Sequence, residues 1–185
     1  MEQIKELTKR LIANSFKELL LQVPFEKITI KTITDHANVI RPTFYNHFHD
    51  KYELVEWIVK TEIIDEVTRE LLENSSRSAI QTLFSKFLVD KDYYKKAFEI
   101  GGQNGFSDVL TNLMTDMFAS VIKEELLCEH KCLETEVVAR YYATGAVAVL
   151  RYEVFKAEAG ELEEICDAYR YIMQHTIFDF VPPRK

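Results

Sequence analysis

Apolar residues recur with a helical period along most of the chain. Ile4, Leu7, Leu11, Ile12, Phe16, Leu19 and Leu20 are spaced three and four apart, as one face of an α-helix requires. Pro24 ends that stripe, because proline has no N–H to donate and clashes with the preceding turn. Thr29 is placed to cap a second helix from Ile30 to about Ala37, its hydroxyl accepting from a first-turn N–H. Asn38 falls at a turn where a left-handed backbone is expected, a conformation that Asn tolerates best after Gly. Pro42 then lies in the first turn of a short helix, about Arg41 to His47, where a missing N–H costs little. Asp50 caps a long helix, Lys51 to about Glu73, with Leu54, Trp57, Ile58, Ile64, Val67 and Leu71 apolar.

Further helices are expected over Ser78 to Val89, from Asp90 through Ile100, over Ser107 to Leu127, over Glu134 to Lys156 and over Glu161 to Phe178. They are separated by the polar Asn74-Ser75-Ser76, the run Gly101 to Gly105, the connector Glu129 to Leu133 and Gly160. Pro182 to Lys185 reads as a tail. This pattern predicts an all-α fold of about nine helices. A three-helix helix-turn-helix head in residues 1–50 sits on a larger helical body in residues 51–185.

Composition narrows the class. At 185 residues, with 47% hydrophobic and 29% charged residues, the chain can bury a sizeable core. The net charge is -7, but it is uneven. Residues 1–60 carry nine Lys and Arg against eight Asp and Glu, whereas residues 61–185 carry fourteen against twenty-two. An acidic body keeps nonspecific polyanion contact away from everything but the head. Met1-Glu2-Gln3 opens into a charged helix, and the longest apolar run, Ala143 to Leu150, is flanked by Arg140 and Arg151. The expectation is a cytoplasmic chain with no membrane span. Three cysteines, Cys128, Cys132 and Cys166, fit free thiols in a reducing compartment. Neither Cys128-His130-Cys132 nor His36, His47 and His49 has the donor set of a metal site. No G-x-S-x-G, P-loop, dinucleotide fingerprint or H-E-x-x-H is present. Neither an enzyme nor a cofactor is expected.

The head carries the chemistry. Ile28, Ile33, Ala37, Val39, Phe44 and Phe48 can form a small core that holds two helices at a fixed angle. The outer face of the short helix then offers Arg41, Thr43, Tyr45, Asn46 and His47. Arg suits guanine O6 and N7, Asn suits adenine, and Thr, Tyr and His suit phosphate. Lys31 and Lys51 flank this face and can grip the DNA backbone. The helix N-termini near Thr29 and Asp50 add N–H donors, with Asp50 itself a cap.

This segment resembles the helix-turn-helix of the TetR family of bacterial regulators. That family shows roughly I-A-x-x-A-G-V-S-x-x-T-x-Y-x-Y-F-x-x-K-x-x-L. At those places stand Ile33, Thr34, Ala37, Asn38, Val39, Ile40, Thr43, Tyr45, His47, Phe48, Lys51 and Leu54. Asn38 replaces the usual Gly, Thr34 an Ala, His47 a Tyr, and Ile40 the usual capping Ser. The resemblance implies phosphate contacts from Lys31, Thr43, Tyr45, His47 and Lys51, with Thr29 at the preceding helix start. It puts Arg41, Pro42 and Asn46 nearest the bases. Tyr45 and His47 also admit a reading as packing residues of the small head core.

For the body, Asp92 to Phe98 and Gly102 to Phe106 are similar to a subgroup that includes an activator of a dihydroxyacetone kinase operon. The resemblance implies a homodimer on a palindromic double-stranded operator, paired through the helices from Glu134 and Glu161. Ala143, Gly145, Ala146 and Ala148 permit close approach there, with about half of them facing the chain's own core. Val147, Leu150, Val154, Ile165, Tyr169, Ile172 and Ile177 supply apolar area. A pocket, if present, would lie among the helices from Lys51, Ser78, Ser107 and Glu134, with Trp57, Phe84, Phe87, Tyr94, Phe98, Met114, Met117, Phe118 and Tyr141 as candidate liners, although aromatics and methionines at helical spacing are more often plain core. The expected function is a sequence-specific repressor released by a small molecule. Alternatives are an activator controlled by a protein co-activator and a helical interaction module that binds no DNA.

Overall fold

A computed structural model describes residues 2–73, 76–102, 104–122, 134–157 and 160–180. Every regular element among them is helical. In order these are α1 (Glu2–Gln22), α2 (Ile30–His36), α3 (Arg41–Tyr45), α4 (Lys51–Val59), α5 (Asp65–Leu72), α6 (Ser76–Val89), α7 (Lys91–Phe98), α8 (Phe106–Val121), α9 (Thr135–Phe155) and α10 (Leu162–Gln174). Short 3-10 turns cover Phe25–Lys27 and Ile177–Phe180. The connector from Glu129, Cys128, Cys132 and the Pro182-Pro183 tail lie outside the described residues.

The expected long helix from Lys51 is present as α4 and α5, but a π-turn, Lys60–Ile64, joins them. No Pro or Gly marks it. The buried positions explain it: Val55, Val59, Ile63 and Val67 recur every four residues, and half-buried Leu71 continues the row. At 3.6 residues per turn that row would swing round the rod by roughly 160°. A wider i→i+5 turn takes back much of the drift, so the row stays on the core side. The strict spacing of four was legible in the sequence. Its consequence is tertiary.

The stripe of α1 divides. Ile12, Phe16 and Leu20 are buried, whereas Ile4 and Leu7 are each 70% exposed and Leu11 faces solvent. The N-terminal half of α1 therefore turns Ile4, Leu7 and Leu11 away from the core. The head core forms as expected: Ile28, Ile33, Ala37, Phe44 and Phe48 are buried and Val39 packs against them. Phe25 and Leu54 join it. This apolar cluster continues without a break into the body, through Phe84, Phe87, Tyr94, Phe98 and Phe106 to Tyr169. Ring contacts at 4.3 Å (Phe87–Tyr94) and 4.9 Å (Phe98–Phe106) knit α6, α7 and the start of α8. The tight passage from α7 to α8 uses Gly102 at φ 90° and Gly105, where a Cβ would lie 3.0 Å from the Ile100 carbonyl.

α9 packs along α8 by its small residues. Ala139, Ala143 and Ala146 are buried, while Gly145 and Ala148 face outward, so the four small residues expected at a partner surface are split between the two sides. Other expectations need correction. Val147, Leu150, Val154, Ile165 and Tyr169 lie in the chain's own core, because α9 and α10 must first cover α6 and α8. Ile172 and Ile177 do face outward as expected, joined by Val137, Tyr141, Tyr152 and Phe155 on α9 and by Tyr171 and Phe180. Tyr141, expected in a pocket, stands in solvent at 75% exposure. Phe84, Phe87, Tyr94, Phe98 and Met114 are core packing.

The left-handed turn gives a direct test of the head. Asn38 has φ 52°, the region the turn was expected to need. Asn38→Val should lower stability by about 1–2 kcal/mol, since a β-branched side chain is forced into the αL region. Asn38→Gly should change it by less than about 0.5 kcal/mol in denaturant titrations at fixed protein concentration.

Candidate nucleic-acid interface

The candidate face is built from caps inward. Thr29 closes a reciprocal cap with Thr32: the Thr32 N–H donates to Thr29 Oγ1 at 3.1 Å, and the Thr29 N–H donates to Thr32 Oγ1 at 2.9 Å. This fixes the start of α2 and keeps Lys31 exposed there. At the turn, the Ala37 N–H donates to the Ile33 carbonyl and the Val39 N–H to the Thr34 carbonyl, at 2.9 and 3.0 Å. Ile40 leads into α3 with no side-chain cap and 69% exposed, as its replacement of a hydroxyl residue predicts. Pro42 in the first turn compensates in part by presetting φ.

α3 is held by rings instead. Phe44 is fully buried, its centroid 5.7 Å from that of Phe48, which lies 5.7 Å from Trp57 on α4. Arg41, Pro42, Tyr45 and Asn46 are thereby turned outward, with Thr43 and His47 half-buried beside them. Arg41 and Tyr45 stand one turn apart on one ridge, and Pro42 and Asn46 on the next. Asp50 ends the passage by accepting from the Tyr52 and Glu53 N–H groups at 2.8 and 2.9 Å.

Two positions differ from the sequence reading. Lys51 is not a free surface cation. Its Nζ donates to the carbonyls of Phe25 and Ile28 at 2.7 and 3.0 Å and lies 3.9 Å from the Phe25 ring centroid. Desolvation lowers its pKa, with Glu26 acting weakly the other way. Two of its three N–H bonds thus hold the segment before α2 onto the start of α4. His47 also has unexpected company: burial first, then Lys9 and Lys5, push its pKa below the ordinary histidine value. Lys9 sits 5.9 and 5.6 Å from the Phe48 and Trp57 ring centroids. Lys5 and Lys9, four apart on α1, thus add positive charge beside His47 at the end of α3. The i, i+4 spacing was visible in the sequence, but their nearness to α3 was not.

Besides Lys51, a second cation ties α1 to the body. Lys17 Nζ on α1 lies 2.9 Å from Glu62 on the π-turn and 2.6 Å from Asp90 at the α6–α7 junction. It also lies 4.8 Å from the Tyr93 ring centroid. Burial opposes its charge, but the bonds to Asp90 and Glu62 outweigh that and raise its pKa above the usual lysine value. The stability this brings is present below the unfolded lysine pKa and lost only as pH rises through the raised one. Asp90 therefore gives its carboxylate to Lys17 and makes no side-chain cap on α7.

A helix pair set by a left-handed turn, a ring-locked short helix with Arg and Asn outward, and a larger helical body define a helix-turn-helix transcriptional regulator. Comparisons with known proteins agree. Residues 17–58 match the family described as "Bacterial regulatory proteins, tetR family", and residues 73–174 match "Transcriptional regulator C-terminal region". The chain belongs to the TetR family of bacterial transcriptional regulators. It is 25% identical over 165 residues to the HTH-type dhaKLM operon transcriptional activator DhaS of Lactococcus lactis subsp. lactis (strain IL1403), covering 84% of this chain and 83% of that one. A solved dihydroxyacetone kinase operon activator DhaS superposes with a TM-score of 0.61 at 22% identity, over 90% of this chain and 94% of the other. Thermus thermophilus FadR, a TetR-family repressor solved with lauroyl-CoA, gives 0.64 at 17% identity over 96% of each chain. At such identities the superpositions establish the fold.

Lys51→Met should destabilise the chain by about 1.5–3 kcal/mol through loss of charge-assisted bonds to two carbonyls. Thermal denaturation without DNA checks this, because a lysine used only for phosphate contact would leave the melting temperature unchanged.

Proposed function

We propose that residues 1–50 read a palindromic double-stranded operator and that residues 51–185 pair two chains and receive the regulatory signal. The observation that carries this is the outward grouping of Arg41, Pro42, Tyr45 and Asn46 on a short helix fixed by Phe44 and Phe48. Arg41 and Asn46 read base edges with Pro42 packed beside them. Lys31, Thr43, Tyr45, His47, the remaining N–H of Lys51 and the α2 start at Thr29 meet phosphates. Lys5 and Lys9 join that phosphate set. One short helix offers few base contacts, so two copies spaced about one DNA turn apart are needed. The outward row Val137, Tyr141, Gly145, Ala148, Tyr152 and Phe155 on α9, with Ile172 on α10, supports pairing through these helices in a homodimer.

The leading reading is a cytoplasmic repressor, without catalysis of its own, that a small molecule releases. The likeness to the dhaKLM operon activator supports a second reading, in which the chain activates transcription and its signal is a protein co-activator. No helix of the described residues is long and apolar enough to cross a membrane.

DNA from upstream of the chain's own gene, run in electrophoretic shifts at increasing salt, tests the first step. Binding should fall steeply with salt, and a folded chain that shifts no fragment at any salt sinks the proposal. Arg41→Ala should cost about 1–3 kcal/mol on the preferred site and flatten the ranking of operator variants. His47 supplies a pH signature. Its pKa lies below the ordinary value in the free chain, and a neighbouring phosphate favours the protonated ring. Binding should therefore strengthen as pH falls from about 7.5 to about 5.5. His47→Gln should remove part of that slope, and an identical slope in the variant would exclude His47 from the contact set.

A further inference from the structure

A cavity of about 200 Å³ opens between α5, α6, α8 and α10, away from the reading face. Its walls are apolar: Leu71, Ile80, Leu83, Met117, Phe118 and Met173. Four polar side chains line it as well, Ser76, Gln174, Tyr169 and Arg170, and the last two are incompletely used. The Tyr169 hydroxyl and the Arg170 Nε are buried and have no hydrogen-bond partner among the described residues. Tyr169 is 5% exposed, with its ring packed edge-on against Phe84 at 5.1 Å. Arg170 pairs with Asp167 through its terminal nitrogen, which leaves the Nε edge of the guanidinium uncommitted. Buried donors are almost always satisfied in folded proteins, so two adjacent exceptions lining one apolar cavity single it out.

The chemistry of the missing partner follows from the donors. Burial pushes the Tyr169 phenol up to about 12, so near neutral pH it carries its proton and can donate. Arg170 only donates. A cationic ligand would meet a guanidinium, and a hydrocarbon would leave both donors unmet. An anionic group with two acceptor oxygens meets both, and charge-assisted bonds of this kind are the strong ones. Size limits the rest. A dry apolar cavity of about 150 Å³ accepts benzene, so this one takes about eight to ten heavy atoms.

We propose that this cavity binds a small apolar monocarboxylate, its tail among Leu83, Met117 and Phe118 and its carboxylate on Tyr169 and Arg170. The site rests on the reading of residues 51–185 as the regulatory part. It adds the ligand's chemical class and the part played by α10. Because α10 also carries outward Tyr171 and Ile172, occupancy bears on the same helix that is proposed to pair with a second chain.

Calorimetric titration of the intact chain with octanoate and phenylacetate tests the proposal, with 1-octanol and octylamine as neutral and cationic controls. At least one carboxylate should bind at least about tenfold more tightly than both controls. Tyr169→Phe and Arg170→Gln, checked for unchanged circular dichroism, should each weaken it about tenfold. Tyr169→Phe removes only the hydroxyl, so it separates a binding role from a packing one. Failure of both carboxylates to bind the folded chain, equal affinity for carboxylate and alcohol, or unchanged affinity in both variants overturns the site. DNA shifts run in parallel keep the two readings apart. Operator binding without carboxylate binding overturns the site alone. Carboxylate binding that depends on Tyr169 and Arg170, with no DNA shift at any salt, supports the site and removes the operator reading.

Discussion

The ammonium of Lys17 is the joint on which the arrangement of this molecule turns. A charge taken partly out of water is unfavourable unless it is paired and hydrogen-bonded. Lys17 satisfies that condition with two carboxylates distant from it in sequence, Glu62 on the π-turn and Asp90 between α6 and α7. The face of Tyr93 covers a third side. Each partner belongs to a different packing unit, so α1 cannot change its angle without disturbing the long rod or the α6–α7 corner. α1 is also the helix whose Ile12, Phe16 and Leu20 bury themselves in the head core. The same helix thus frames the proposed reading face and answers to the body.

The π-turn matters for the same reason. It keeps the four-residue row Val55, Val59, Ile63 and Val67 on the core side, and it carries Glu62 to Lys17. An uninterrupted α-helix would have to give up one or the other, because its faces advance by about 100° per residue. The local departure from α-geometry is therefore offset by continuous burial above and below it. The head needs no such device. Its angle is fixed by Asn38 in the left-handed region and by the Phe44–Phe48–Trp57 ring series, and the uncapped start of α3 is tolerated because those rings hold it.

The cavity beside Tyr169 has a different character. The core around Phe87, Tyr94, Phe98 and Phe106 is filled by ring-on-ring contacts. Where α10 meets α5, α6 and α8, flexible methionines and an incompletely bonded Tyr–Arg pair take over. Methionine fills irregular space without fixing it, so this corner combines adaptable walls with donors that have no acceptor among the described residues.

The sequence alone determined the local features. Helical periodicity, Pro24 as a stop, Thr29 and Asp50 as caps, Asn38 in the turn and the missing cap at Ile40 all follow from short-range stereochemistry, and each appears in the structure. Even the π-turn left a trace, in apolar residues spaced strictly by four. What the chain did not announce were choices between faces. Val147, Leu150 and Val154 are apolar whether they meet α8 or a second chain, and only packing sent them inward while Tyr141 and Tyr152 stayed out. Lys51 has the same charge whether it grips phosphate or bonds the carbonyls of Phe25 and Ile28. Lys17 shows no sequence neighbour that foretells Glu62 and Asp90. A periodic pattern fixes which residues share a helix face. Which neighbour that face meets is set by how all the helices compete for one core, and that competition is resolved only in three dimensions.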